Sequence, residues 1–136
     1  MGERRRAREL ALQMLYRHEL AGDPPEAMVA DFDELRKASE GARRFALELA
    51  TGVLEHLEEL DRELAIQTAN WRLDRLAAVD RNILRLAAFE LLHRPGTPPA
   101  VVIDEAIELA KRFGSAESPR FVNGVLDGLH RRKAGG

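Results

Sequence analysis

The sequence predicts an all-α fold of about seven helices, on three observations. Apolar residues make up 45% of the chain but aromatics only 5%, and much of the apolar content is Ala and Leu, the strongest helix formers. Gly and Pro punctuation divides the chain into blocks whose apolar residues recur at spacings of three and four. No alternating strand pattern competes with that period. The 136 residues suffice for one compact domain that needs neither a disulfide nor a structural metal.

The first block, Glu3 to Leu20, puts Ala7, Leu10, Ala11, Met14, His18 and Ala21 on one stripe that is expected to be buried. Gly22-Asp23-Pro24-Pro25 ends it. A second block from about Glu26 to Lys37 offers Met28, Val29, Phe32 and Leu35 to a core. After Ser39-Glu40-Gly41, a third helix is expected to reach about Glu59, burying Phe45, Leu49, Gly52, Val53, His56 and Leu60. A shorter block covers Asp61 to about Ala69. Asn70-Trp71-Arg72 then leads to Asp74, the expected cap of a long helix carrying Leu76, Val79, Ile83, Leu86, Ala87 and Leu91. Pro95, Gly96, Pro98 and Pro99 stop it. A sixth helix with Ile103, Ala106, Ile107, Ala110 and Phe113 ends at Gly114, read as a C-cap. Ser118 as cap and Pro119 at the first position open the last helix, which buries Val122, Val125, Leu126 and Leu129. The tail from His130 to Gly136 is expected to fray. If two subdomains share the core, their expected seam lies near Glu59 to Asp61.

Composition and motifs exclude much. There is no Cys, so disulfides and thiolate metal sites are impossible. No apolar run approaches the ~20 residues of a membrane span, and Met1 to Leu10 lacks the apolar segment of a secretory signal, so a cytoplasmic protein is expected. The four histidines lie about 37 residues apart and form no i, i+4 ligand pair; His18 and His56 read as packed side chains. Paired carboxylates such as Asp104 with Glu108, or Glu58-Glu59, read as solvated helix charges, Glu108 standing near Lys111 and Arg112. Walker-type, dinucleotide and serine-elbow motifs are all missing. Neither a catalytic residue, a metal site nor a cofactor is therefore expected. Gly124 and Gly128 stand out, because a mid-helix glycine costs about 1 kcal/mol relative to alanine. Close approach to another helix, or to a partner backbone, would offset that cost.

Charge carries the positive signal. The net charge is only −2, so a nucleic-acid role must rest on local asymmetry. Residues 1–8 carry Arg4, Arg5, Arg6 and Arg8 against Glu3 alone, whereas residues 26–61 hold ten acids and four bases. Guanidinium groups grip phosphates bidentately and stack on bases, so such a run suits RNA better than a small metabolite. Four arginines at a helix N-terminus also oppose the helix dipole, which argues for an anionic partner or a flexible start. In projection Arg5, Leu12 and Tyr16 share a narrow sector opposite the core stripe, Arg4 and Arg8 lie nearer the core side, and Arg6 points elsewhere. An aromatic beside cations makes a platform for unstacked bases; Tyr16 packed against a second helix is the alternative. Phe121 lies one residue off its helix's apolar stripe and suits core packing and base stacking equally.

These residues resemble the NusB-type transcription antitermination factors over nearly the whole chain. The resemblance is carried by Arg4-Arg5-Arg6-Ala7-Arg8-Glu9 with Leu15-Tyr16; by Val79-Asp80-Arg81, Ile83-Leu84-Arg85 and Phe89-Glu90-Leu91; by Ile103 through Lys111; and by Phe113-Gly114 leading to Arg120-Phe121-Val122-Asn123-Gly124-Val125-Leu126-Asp127. It implies two small helical bundles in one antitermination-factor-like domain, 1–136, with an N-terminal subdomain of about 1–59 and a C-terminal one of about 60–133. The first and last helices would contribute neighbouring functional surface. It also implies a protein that binds boxA-type single-stranded RNA with the ribosomal protein NusE and helps RNA polymerase pass terminators. Some relatives self-associate, so a homodimer is a further implied partner. Carried over by position, Arg4, Arg5, Arg6 and Arg8 look like RNA contacts, with Tyr16, Arg120 and Phe121 beside them. Asp74, Asp80, Arg81 and Glu117 look partner-facing, although Asp74 also reads as a helix cap and Arg81 as one half of an ion pair. Residues 22–41 carry no family motif. A NusB-like domain also occurs fused to an RNA cytosine methyltransferase, a portion for which 136 residues leave no room. A protein-only helical adaptor remains the alternative, supported by the near-neutral charge and the acidic midsection.

Overall fold

The computed structural model describes residues 2–68 and 72–135; the expected helix end at Ala69 and the Asn70-Trp71 approach lie outside them. Among the described residues there are eight α-helices and no strand. The chain forms two compact units, Met1–Glu55 and His56–Gly136.

In the first unit, α1 (Glu3–Ala21) lies against α4 (Glu40–Glu55). Ala7, Leu10, Ala11 and Met14 of α1 are buried, as are Ala42, Phe45, Ala46, Leu49 and Val53 of α4. The many alanines keep side-chain volume low where the helices meet. The α1 stripe stops short of its predicted end: His18 is half-buried, its Nδ1–H donating to the Asp23 carbonyl at 2.8 Å, and Ala21 is exposed. Gly22, at φ 79°, then terminates α1 in the left-handed conformation that glycine tolerates best, its N–H reaching the His18 carbonyl at 2.7 Å.

The second block is not one helix. A 3-10 turn (Pro25–Ala27) leads into α2 (Met28–Asp31) and α3 (Asp33–Lys37), separated by Phe32 at φ −99°, ψ 101°. Extended backbone here accompanies burial of the Phe32 ring, over which Arg17 Cζ stands 4.8 Å from the centroid. Ser39 caps α4, accepting the Ala42 N–H at 3.1 Å and donating to Glu3 Oε1 at 2.7 Å. Gly41 has a packing reason, since a Cβ there would collide with the Glu3 carboxylate. The third helix ends at Glu55, short of Glu59. His56, at φ −114°, ψ 20°, leaves helical geometry, and α5 (Leu57–Gln67) begins directly after it.

The second unit holds α5, a 3-10 turn (Leu73–Arg75), α6 (Ala78–His93), α7 (Pro99–Phe113) and α8 (Ser118–Gly135). Leu60 and Leu64, Ile83, Leu84 and Leu86, Val102 and Ala110, and Val122, Leu126 and Leu129 meet in its core. Two polar clamps hold α5: a fork from Arg85 to Asp61, with both N···O distances 2.8 Å, and contacts from α8 described below.

Three expectations about helix ends are corrected and one is met. Asp74 sits in the 3-10 turn, and α6 starts at Ala78 without a side-chain cap. Gly114 is the C-cap of α7 as expected, its N–H reaching the Ala110 carbonyl at 2.9 Å, although its backbone is extended, at φ −95°, ψ −167°, rather than left-handed; a Cβ there would press on the Ser118 hydroxyl. Ser118 does not cap α8. Its buried Oγ accepts the Ser115 N–H at 2.9 Å and so closes the turn between α7 and α8. The basic tail is helical through Gly135, because Arg132 Nε donates to Gln67 Oε1 at 2.7 Å and Arg132 and Lys133 stand 2.8 and 3.4 Å from the Glu63 carboxylate. These contacts hold Glu63 below its usual pKa: hydrogen bonding from Arg132 acts most strongly, burial opposes it, and Lys133 adds to the lowering.

Candidate nucleic-acid interface

Helix α1 sorts its arginines by where each Cα–Cβ bond points. Arg5 is exposed. Arg6 is half-buried, its Nη1 donating to the buried Glu9 carboxylate at 3.3 Å. Arg4 is exposed at the helix start, but its Cζ stands 3.9 Å from the Phe45 ring centroid. Arg8 is turned inward, only 5% exposed, with Cζ 5.6 Å from the same ring. One phenylalanine of α4 thus steadies two guanidinium groups through its π face. Glu3, the one acid of the cluster, is drawn to Ser39. It places negative charge in the first turn, where the helix dipole favours it.

About two turns beyond Arg8, α1 presents an apolar surface. Tyr16 is 42% exposed and Leu20 72% exposed, four residues apart and on one face. Leu12, which projects into the sector of Arg5 and Tyr16, is buried. The exposed strip is therefore interrupted, with Arg5 at one end and Tyr16 at the other.

On α8, Arg120 is exposed and Phe121 half-buried, while Asn123 and Gly124 are exposed. The two mid-helix glycines differ. A Cβ on Gly128 would meet the Gln67 amide of α5, whereas a Cβ on Gly124 would meet open space. Close helix approach accounts for Gly128 alone.

The residues carried over as partner-facing gather near the start of α6, apart from Glu117. Asp74 is exposed and paired with Arg72 at 3.1 Å. Asp80 is half-buried, and its Oδ1 is buried without a hydrogen-bond partner among the described residues. Such an oxygen is costly to leave unsatisfied. Arg81 donates from Nη1 to the Leu76 carbonyl at 2.7 Å and reaches the Leu73 carbonyl at 3.5 Å, so it holds the 3-10 turn against α6. Glu117 is exposed just before α8. Glu108, read as a solvated charge, stands 3.5 Å from Lys111.

Sequence reasoning missed one cluster. His56, Glu59 and His93 come together on the second unit. Inspection of histidine pairs alone could not find it, because His56 and His93 are brought together only by the packing of α5 on α6. A trace was present in the i, i+3 spacing of His56 and Glu59.

The NusB family pattern matches residues 5–131. The chain is 50% identical over 127 residues to the transcription antitermination protein NusB of Sorangium cellulosum (strain So ce56), covering 93% of this chain and 91% of that protein. It is similar to the solved structure of T. maritima NusB, with a TM-score of 0.85, 37% identity, and coverage of 94% of this chain and 90% of that one. It is also similar to a chain in a crystal structure of antitermination factors NusB and NusE in complex with dsRNA, with a TM-score of 0.86, 30% identity, and coverage of 97% and 98%. Fold, motif order and identity agree across both units, and the chain belongs to the NusB family.

Proposed function

We propose that this chain is an RNA-binding transcription antitermination factor that binds boxA RNA together with ribosomal protein NusE and promotes antitermination in ribosomal RNA transcription. It acts by binding, in the cytoplasm, without catalysis. The observation that carries this reading is family membership over nearly the whole chain, joined to a relative of 30% identity solved with NusE and RNA. That no helix is long and apolar enough to cross a membrane is compatible with it. The continuous family match across both units supports treating them as one domain.

The residue roles follow from exposure. Arg5 and Arg6 grip phosphates, Arg4 does so from its seat on Phe45, and Tyr16, Arg120 and Phe121 engage bases or the backbone. Arg8 supports α1 from within. Asp74, Asp80 and Glu117 face NusE, and Arg81 shapes that surface by holding the 3-10 turn.

The test is a set of affinities for boxA and scrambled RNA, single-stranded and duplex, each with and without NusE. The expected result is a preference for boxA that NusE strengthens. Three or four phosphate contacts predict a slope of log affinity against log salt of about −2 to −3. A flat salt response with no boxA preference would instead support the protein-only adaptor.

A further inference from the structure

We propose that His56, Glu59 and His93 form a binding site for a divalent transition-metal ion of the zinc class. His56 occupies the break before α5, Glu59 lies three residues on in the first turn of α5, and His93 is the last residue of α6. One ligand atom from each lies within 4.8 Å of the other two. Glu59 Oε1 is 2.7 Å from His93 Nε2, and the two imidazole rings lie with centroids 4.1 Å apart, tilted by 35°. Phe89, one turn before His93, stands 5.6 Å from both rings and gives the cluster an apolar wall.

The donor set chooses the ion. Two imidazoles and a carboxylate suit zinc, nickel or copper, whereas magnesium and calcium prefer oxygen ligands. Donors around a tetrahedral zinc, at about 2.0–2.2 Å from the metal, lie roughly 3.4 Å from one another. Side-chain rotation of about an ångström reaches that spacing from the present arrangement. The Arg85–Asp61 fork, whose aspartate lies two residues beyond Glu59, ties α5 to α6. His56 and Glu59 are half-buried and His93 is exposed, so an ion can enter and retain water at a fourth position. None of the three is among the residues assigned to RNA or NusE, so the proposal stands apart from that function.

The experiment uses the untagged full chain, stripped with a chelator and titrated with cobalt(II) as a spectroscopic probe, followed by displacement with zinc. One cobalt per chain with tetrahedral d–d absorption is expected, together with a thermal midpoint that rises with zinc concentration. His93→Ala and Glu59→Gln should each weaken zinc binding about tenfold or more, by analogy with the losses known even for outer-sphere partners. His18→Ala should not. Circular dichroism of each metal-free variant verifies folding, and Glu59→Gln, which keeps the side-chain shape, serves if His93→Ala fails to fold. Absence of stoichiometric binding, or binding that survives the His56→Ala/His93→Ala pair, would overturn the proposal.

Discussion

Neighbouring arginines on one helix meet different solvation, and that difference separates their roles. Arg8 has its guanidinium over Phe45 and its stem among buried side chains, so truncation removes packing as well as charge. Arg8→Ala is expected to cost about 1–2 kcal/mol of stability, read from urea unfolding. Arg5 is exposed. Arg5→Ala should leave the unfolding free energy within about 0.5 kcal/mol of wild type yet weaken boxA binding and flatten the salt slope by about one unit. Equal loss of stability in both variants would contradict this division.

At the scale of elements, α5 and α8 are joined by charge as well as by apolar contact. Glu63 has its folded pKa lowered by Arg132 and Lys133, so its contribution is present above the ordinary glutamate pKa of about 4.3 and is lost as pH falls through that value toward the lower folded one. Glu63→Gln should therefore be less stable than wild type at neutral pH, with the gap closing in acid; urea midpoints across a pH series measure it. Hydrogen exchange should also show faster opening of the last turns of α8 in that variant. The two glycines of α8 offer a second comparison. Gly124→Ala, with open space for the methyl group, should gain about 1 kcal/mol from helix propensity. Gly128→Ala should forfeit most of that gain, because the Gln67 amide must move and Gln67 accepts from Arg132. Thermal midpoints of the two variants test the difference. A boxA or NusE affinity that falls in Gly124→Ala despite the higher stability would show a partner approaching that backbone.

For the whole molecule, a net charge of −2 means that bulk attraction cannot hold RNA; placement of charge must do so. Screening over about 8–10 Å at physiological salt confines each charge to its own neighbourhood. The double variant Arg5→Ala/Glu26→Gln restores the wild-type net charge, yet it should bind boxA no better than Arg5→Ala alone at physiological salt. Recovery of affinity in the double variant would show that net charge governs binding.

Helical periodicity made most of the framework legible before any coordinates, because a buried stripe at spacings of three and four is a local property of a chain that must hide its apolar side. The stripe of Ala7, Leu10, Ala11 and Met14 and that of Val122, Val125, Leu126 and Leu129 are both buried. Projection also placed Arg8 toward the core, and motif order pointed to the family. What periodicity could not reach were contacts between residues distant in sequence. The pinning of Arg132 and Lys133 on Glu63, the seat of Arg4 and Arg8 on Phe45, the use of Gly41 to admit the Glu3 side chain, and the meeting of His56 with His93 all depend on which helix lies beside which. The sequence by itself determined the all-helical class, the main buried stripes and the concentration of arginine on α1; where the second and third blocks break was not among them. Tertiary structure decided which arginines remain at the surface, because a guanidinium is exposed or covered by what a neighbouring helix places over it.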